Sequence, residues 1–113
     1  MRFWERPTKE IVKDIQFDGD GSPVTRVRIR LFVRKGKIEN YVVQLEHMTG
    51  NCWKQIVRFN YFHGFVHKDF YNADGIQKKV DLGQFPDLKD AVDLAIRDIN
   101  ENYKRYIDKF KGA

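Results

Sequence analysis

The chain has 113 residues, 42% of them hydrophobic and 14% aromatic, which fits one domain around one core and leaves no room for two. Twenty-one Lys and Arg against 16 Asp and Glu leave a formal charge of +5, an excess that suits an anionic partner such as RNA, DNA or an acidic protein. Cys52 stands alone, which excludes an internal disulfide and fits a reducing cytoplasm; no run approaches the ~20 apolar residues of a membrane span, and the charged start lacks the apolar stretch of a secretory signal.

Residues 1 to about 8 read as a loosely ordered arm, because Pro7 and the charges around Trp4 interrupt any periodicity. A short strand is expected over residues 10–17. Asp18-Gly19-Asp20-Gly21-Ser22-Pro23 then forms a turn cluster. It is not a calcium loop of the EF-hand kind, since that loop needs Gly at its sixth position and Glu at its twelfth, and Ile29 holds the twelfth here. Residues 24–35 alternate most cleanly, with Val27, Ile29, Leu31 and Val33 on one face and Arg26, Arg28, Arg30, Phe32 and Arg34 on the other. Lys35-Gly36-Lys37 supplies a hairpin turn, and residues 38–47 a second long strand. After Met48-Thr49-Gly50-Asn51 the alternation puts Trp53, Gln55, Val57, Phe59 and Tyr61 opposite Lys54, Ile56, Arg58 and Asn60. Two further strands, over 65–71 and 76–82, flank the turn Asn72-Ala73-Asp74-Gly75. Such close spacing leaves no room for crossover helices, so a five- or six-stranded antiparallel meander is expected.

The period then changes. Asp87 can cap a helix from about Leu88 to Phe110, in which Leu88, Ala91, Val92, Ala95, Ile99, Tyr103, Tyr106 and Phe110 recur at three- and four-residue steps. Lys104, Arg105, Lys109 and Lys111 complement the negative end of its dipole, and Gly112 is a fitting stop. One long helix across an antiparallel sheet makes an α+β fold, a single domain over 1–113.

Two groups of residues could carry chemistry. Arg26, Arg28, Arg30 and Arg34 project from one face of one strand about 7 Å apart per step, a spacing comparable to phosphates along a single strand. The plainer reading pairs them with Glu39, Glu46 and Asp14 on neighbouring strands. The second group is His63-Gly64-Phe65-Val66-His67-Lys68-Asp69, which holds two of the three histidines. If it is extended, His67 and Asp69 share a face, and Gly64 permits a bend that brings His63 toward them. Such a group can run acid–base transfer on an RNA 2′-hydroxyl, can contribute two His and one Asp to a metal, or can simply satisfy backbone groups in a turn. Arg58, Lys68, Lys78 and Lys79 are expected near it. The only thiol lies well apart, against structural zinc, and no glycine-rich phosphate loop occurs, so neither a metal nor a cofactor is expected.

The string Val57-Arg58-Phe59-Asn60-Tyr61-Phe62-His63-Gly64-Phe65-Val66-His67, followed by Ala91, Ala95, Ile99 and Asn102 on a helix, resembles the TumE-like group of small prokaryotic proteins over roughly residues 24–110. The resemblance implies a toxin of a toxin–antitoxin pair, with a helix-turn-helix antitoxin as partner. Arg58, His63, Gly64 and His67 match its string and Asp69 extends it; Asn60 departs from the Asp often found there. Combined with the charge, it points to a toxin-like protein acting on RNA, with His63 and His67 as acid–base residues, Asp69 beside them, and Arg58 and Lys68 holding phosphate. The alternative is a non-catalytic module that binds nucleic acid or an acidic protein through its arginine face. The sequence leaves open whether the chain pairs with a second copy.

Overall fold

The computed structural model describes residues 6–112. Its elements are β1 (Lys9–Phe17), β2 (Pro23–Arg34), β3 (Lys37–Thr49), β4 (Cys52–Phe62), β5 (Phe65–Asn72), β6 (Gly75–Gly83) and α1 (Leu88–Phe110). The strands form one sheet in the order β1-β2-β3-β4-β5-β6, every neighbouring pair antiparallel. This is the expected α+β meander, with six strands. The part of the proposed arm at 1–5 lies outside the described residues. Thr8 is tied down, because its Oγ1 accepts from the Val33 N–H at 2.9 Å.

α1 covers one face of β3, β4 and β5. Tyr41, Val43 and Leu45 of β3, Val57 and Phe59 of β4, and Val66 of β5 are buried with Ala91, Val92, Ala95, Ile99, Tyr106 and Ile107 of the helix. Each large apolar side chain enclosed there contributes roughly 1.5–3 kcal/mol. The expected helical stripe is the buried one, and Ile107, four residues after Tyr103, belongs to it as well. Asp87 caps the start, its carboxylate accepting from the Lys89 N–H at 2.9 Å. At the other end Gly112 takes φ 83° and its N–H donates to the Lys109 carbonyl.

β4 departs from strict alternation. Leu45 pairs with Val57 but Glu46 pairs with Gln55, so Ile56 is an extra residue in the ladder. A bulge reverses the face of everything on one side of it. Trp53 and Gln55 therefore lie on the arginine face, not with Val57 and Phe59 as expected, and Ile56 is buried with the helix residues. The Arg26 guanidinium 3.8 Å above the Trp53 ring fixes that assignment.

Lys68 also departs from expectation. It pairs with Phe59 in register, on the face under the helix, where its Nζ lies 2.6 Å from Asp98 Oδ2 and 2.6 Å from the Tyr106 hydroxyl. Tyr106 in turn donates to Asp98 Oδ1, and Asn102 Nδ2 donates to the same carboxylate at 3.0 Å. Burial alone would raise the Asp98 carboxyl, but the hydrogen bonds from Lys68 and Tyr106 and the ammonium charge outweigh it and hold the group below its ordinary value. Burial and the bond to Asp98 push the Tyr106 phenol up. Lys68 is thus a strut between sheet and helix, not a phosphate ligand on the open surface. No helix among the described residues is long and apolar enough to cross a membrane.

Candidate functional site

The face of the sheet away from α1 is polar and organised in cross-strand rows, because register places successive partners side by side. One row runs Asp14, Arg26, Glu46, Gln55. The next runs Val12, Arg28, Gln44, Arg58, Asp69, Lys79, and a third runs Glu10, Arg30, Val42, Asn60, His67, Asp81. Arg26 Nε meets Glu46 at 2.6 Å; Arg28 binds both Glu10 and Glu46; Arg30 approaches Glu10 at 3.5 Å. The Arg28 hydrogen bond, joined by the charges of Arg30 and Arg28, lowers the Glu10 carboxyl against the opposing effect of desolvation. The arginine row is therefore an ion-paired face for Arg26, Arg28 and Arg30. Glu10 takes the partner role expected of Asp14. Only Arg34, 72% exposed and 3.9 Å from Glu39, keeps its guanidinium largely free.

The histidine string divides into three levels. His63 and Gly64 have φ of 52° and 81° between the paired Phe62 and Phe65, a two-residue turn of type I′ geometry. His63 is exposed at the turn, its ring centroid 4.0 Å from that of Phe62. His67 lies on the open face, with Nε2 3.3 Å from the Phe62 carbonyl. Both imidazoles thus meet at Phe62. His67 and Asp69 share a face as expected, yet no hydrogen bond joins them or links the two histidines among the described residues. Asp69 is only 2% exposed. Its Oδ2 accepts from Asn60 Nδ2 at 3.0 Å, while its Oδ1 and the neighbouring Arg58 Nε are buried without a partner among the described residues. Burial pushes the nearby Tyr71 phenol up, with the Arg58 charge pulling against that shift and Asp69 adding to it. Asp69 therefore sits beneath the surface that His63 and His67 present, Arg58 lies half-buried beside it, and Lys68 lies on the opposite face. No three His, Cys, Asp or Glu side chains converge as metal ligands among the described residues.

The end of the sheet that carries His63 holds more than the sequence pattern marked. Lys35 and Gly36, with φ of 51° and 76°, close the β2–β3 hairpin in the same way as His63 and Gly64 close β4–β5. The first hairpin runs past the second, and between them lies a cleft of about 430 Å³ lined by Glu39, Asn40, Tyr61, Phe62 and His63. Phe62 is 60% exposed and Phe65 is exposed beside it. Arg34, Lys35 and Lys37 are exposed on the projecting hairpin. The signal for Phe62 and Phe65 was their placement on either side of a His-Gly turn, where an apolar pair cannot reach the core.

Residues 7–113 match the family model described as a domain of unknown function (DUF7718). No curated protein and no solved structure matches the chain.

Proposed function

The chain belongs to the DUF7718 family, and we propose that it is a toxin-like protein that takes a single strand of RNA across the hairpin end of its sheet. One observation carries this reading: a mostly exposed Phe62 whose ring lies against the His63 imidazole and whose carbonyl meets His67 Nε2, beside an exposed basic hairpin. A base stacked on Phe62 or Phe65 would contribute about 1–3 kcal/mol. Arg34, Lys35 and Lys37 would meet the flanking phosphates, with Glu39 steering the backbone to their side of the cleft. With Nε2–H donating to the Phe62 carbonyl, His67 offers Nδ1 as proton acceptor for a 2′-hydroxyl, and a protonated His63 serves the leaving oxygen. A helix-turn-helix antitoxin, the partner implied by the TumE-like resemblance, would act by covering this surface.

The same surface serves a binder without catalysis. The recessed Asp69 favours that second reading, since its carboxylate is not presented where a reacting 2′-hydroxyl would sit. Binding and cleavage of a fluorescent single-stranded RNA by wild type, Phe62→Ala/Phe65→Ala, His63→Asn and His67→Asn separate the two. Asn suits the first position of the turn, so His63→Asn keeps the hairpin. Loss of the phenylalanines should weaken binding about tenfold or more with an unchanged melting temperature. For a nuclease the histidine variants bind but cleave about 10²- to 10⁴-fold more slowly. Salt-sensitive binding without cleavage leaves the binder, and no salt-sensitive RNA binding ends both.

A further inference from the structure

The opposite end of the molecule carries a second cavity, on the helix side of the sheet. It lies between the last turns of α1 and the β5–β6 ribbon and measures about 300 Å³, at the lower bound for small-molecule sites. Ile56, turned to this side by the bulge in β4, is buried at its inner end with Tyr106. Phe70 and Phe110 complete an aromatic lining in which Phe70 and Tyr106 meet edge to face, centroids 5.7 Å apart. Lys78 and Lys109 are exposed at its mouth, and no side-chain carboxylate lines it among the described residues.

From this combination we infer a binding site for a small aromatic carboxylate. Three aromatic rings around a cavity of this size accept a planar body of one or two fused rings in edge or offset contact. They would also accept a cation over their faces, but the two ammonium groups of Lys78 and Lys109 repel one. A neutral apolar ligand would leave Lys78 and Lys109 unused. An acid group at the mouth pairs with both while the ring displaces water from Ile56 and Phe70. The carbonyls ending α1 carry partial negative charge, so the carboxylate sits against Lys78 and the Lys109 ammonium and away from the helix terminus. None of these residues takes part in the RNA surface, and the inference is independent of it.

The probe is 2-naphthoate, titrated into the ¹⁵N-labelled full-length chain and followed by amide shifts, with the neutral 2-naphthalenemethanol as comparison. Saturable shifts clustered at Ile56, Phe70, Tyr71 and Phe110 are expected, with the neutral compound about tenfold weaker, the sum of two exposed ion pairs. Lys78→Gln/Lys109→Gln, both at exposed positions, should keep the fold and erase that preference. The inference is overturned by the absence of saturable binding, by shifts centred elsewhere, by equal affinity for acid and alcohol, or by a double variant that still prefers the acid.

Discussion

Replacing Lys68 by Met tests the seam between helix and sheet. The side chain is 12% exposed and its partner Asp98 21%. Methionine is unbranched and one atom shorter, and keeps the apolar stem among Phe59, Phe70 and Tyr106, whose ring centroids lie 5.2, 5.0 and 4.7 Å from the lysine Nζ. What is lost is the cation opposite a carboxylate that stays in place. Removing one member of a fully buried pair costs about 3–5 kcal/mol. Asp98 retains donors from Tyr106 and Asn102 and some access to water, which reduces the expected loss to about 2–3 kcal/mol. For a chain of this length that lowers the melting temperature by about 10–15 °C. Urea unfolding followed by circular dichroism measures the change directly. Lys68→Met/Asp98→Leu removes both charges and should recover most of the loss, giving a coupling of about 2 kcal/mol in the double-mutant cycle. A single variant within about 0.5 kcal/mol of wild type, or a double variant as unstable as the sum of its parts, refutes the strut. RNA affinity that falls while stability holds would instead return Lys68 to the surface role first expected of it.

Arg26→Met should retain some packing on Trp53 but leave the buried Glu46 with Gln44 and the longer contact to Arg28; a loss of about 1–3 kcal/mol is expected in urea unfolding, partly restored by Glu46→Gln. His47 is held below its ordinary value of 6.5 by burial and then by the charge of Lys111. The unfolded chain therefore takes up this proton first, so the contribution of neutral His47 is complete above about pH 6.5 and falls as pH drops through the lower folded value. His47→Gln should flatten the decline in urea midpoint between about pH 7 and pH 5, and an unchanged slope would show that other groups cause it.

The parts of the fold legible in the sequence are those with an uninterrupted period. Arg26 to Arg34 alternates without a break, and the stripe from Leu88 to Tyr106 holds for about five turns, so both faces read correctly. β4 could not be read through, because a period of two cannot register an inserted residue; the clue was an isoleucine, Ile56, among Lys54, Arg58 and Asn60 on an otherwise polar face. Alternation puts Lys68 on the face opposite His67, but the expectation that it would hold phosphate ignored which face α1 would cover. Its position between Val66 and Phe70, both turned toward the core, was the available sign. The string from Arg58 to Asp69 was visible as a cluster in one dimension. Its division into recessed, exposed and opposite-face members follows from depth, and sequence spacing has no depth.

The meander order has a kinetic consequence. Every strand pairs only with the strands adjacent to it in the chain, so the sheet assembles through hairpin closures alone, each over a short loop. That keeps contact order low for a protein so rich in strands, and the entropy of long loop closure arises once, when α1 returns from β6 to lie on β3. Folding should accordingly be fast for a sheet of this size. Its slowest structural event is the docking of the helix, in which Lys68 must give up water for Asp98 and Tyr106.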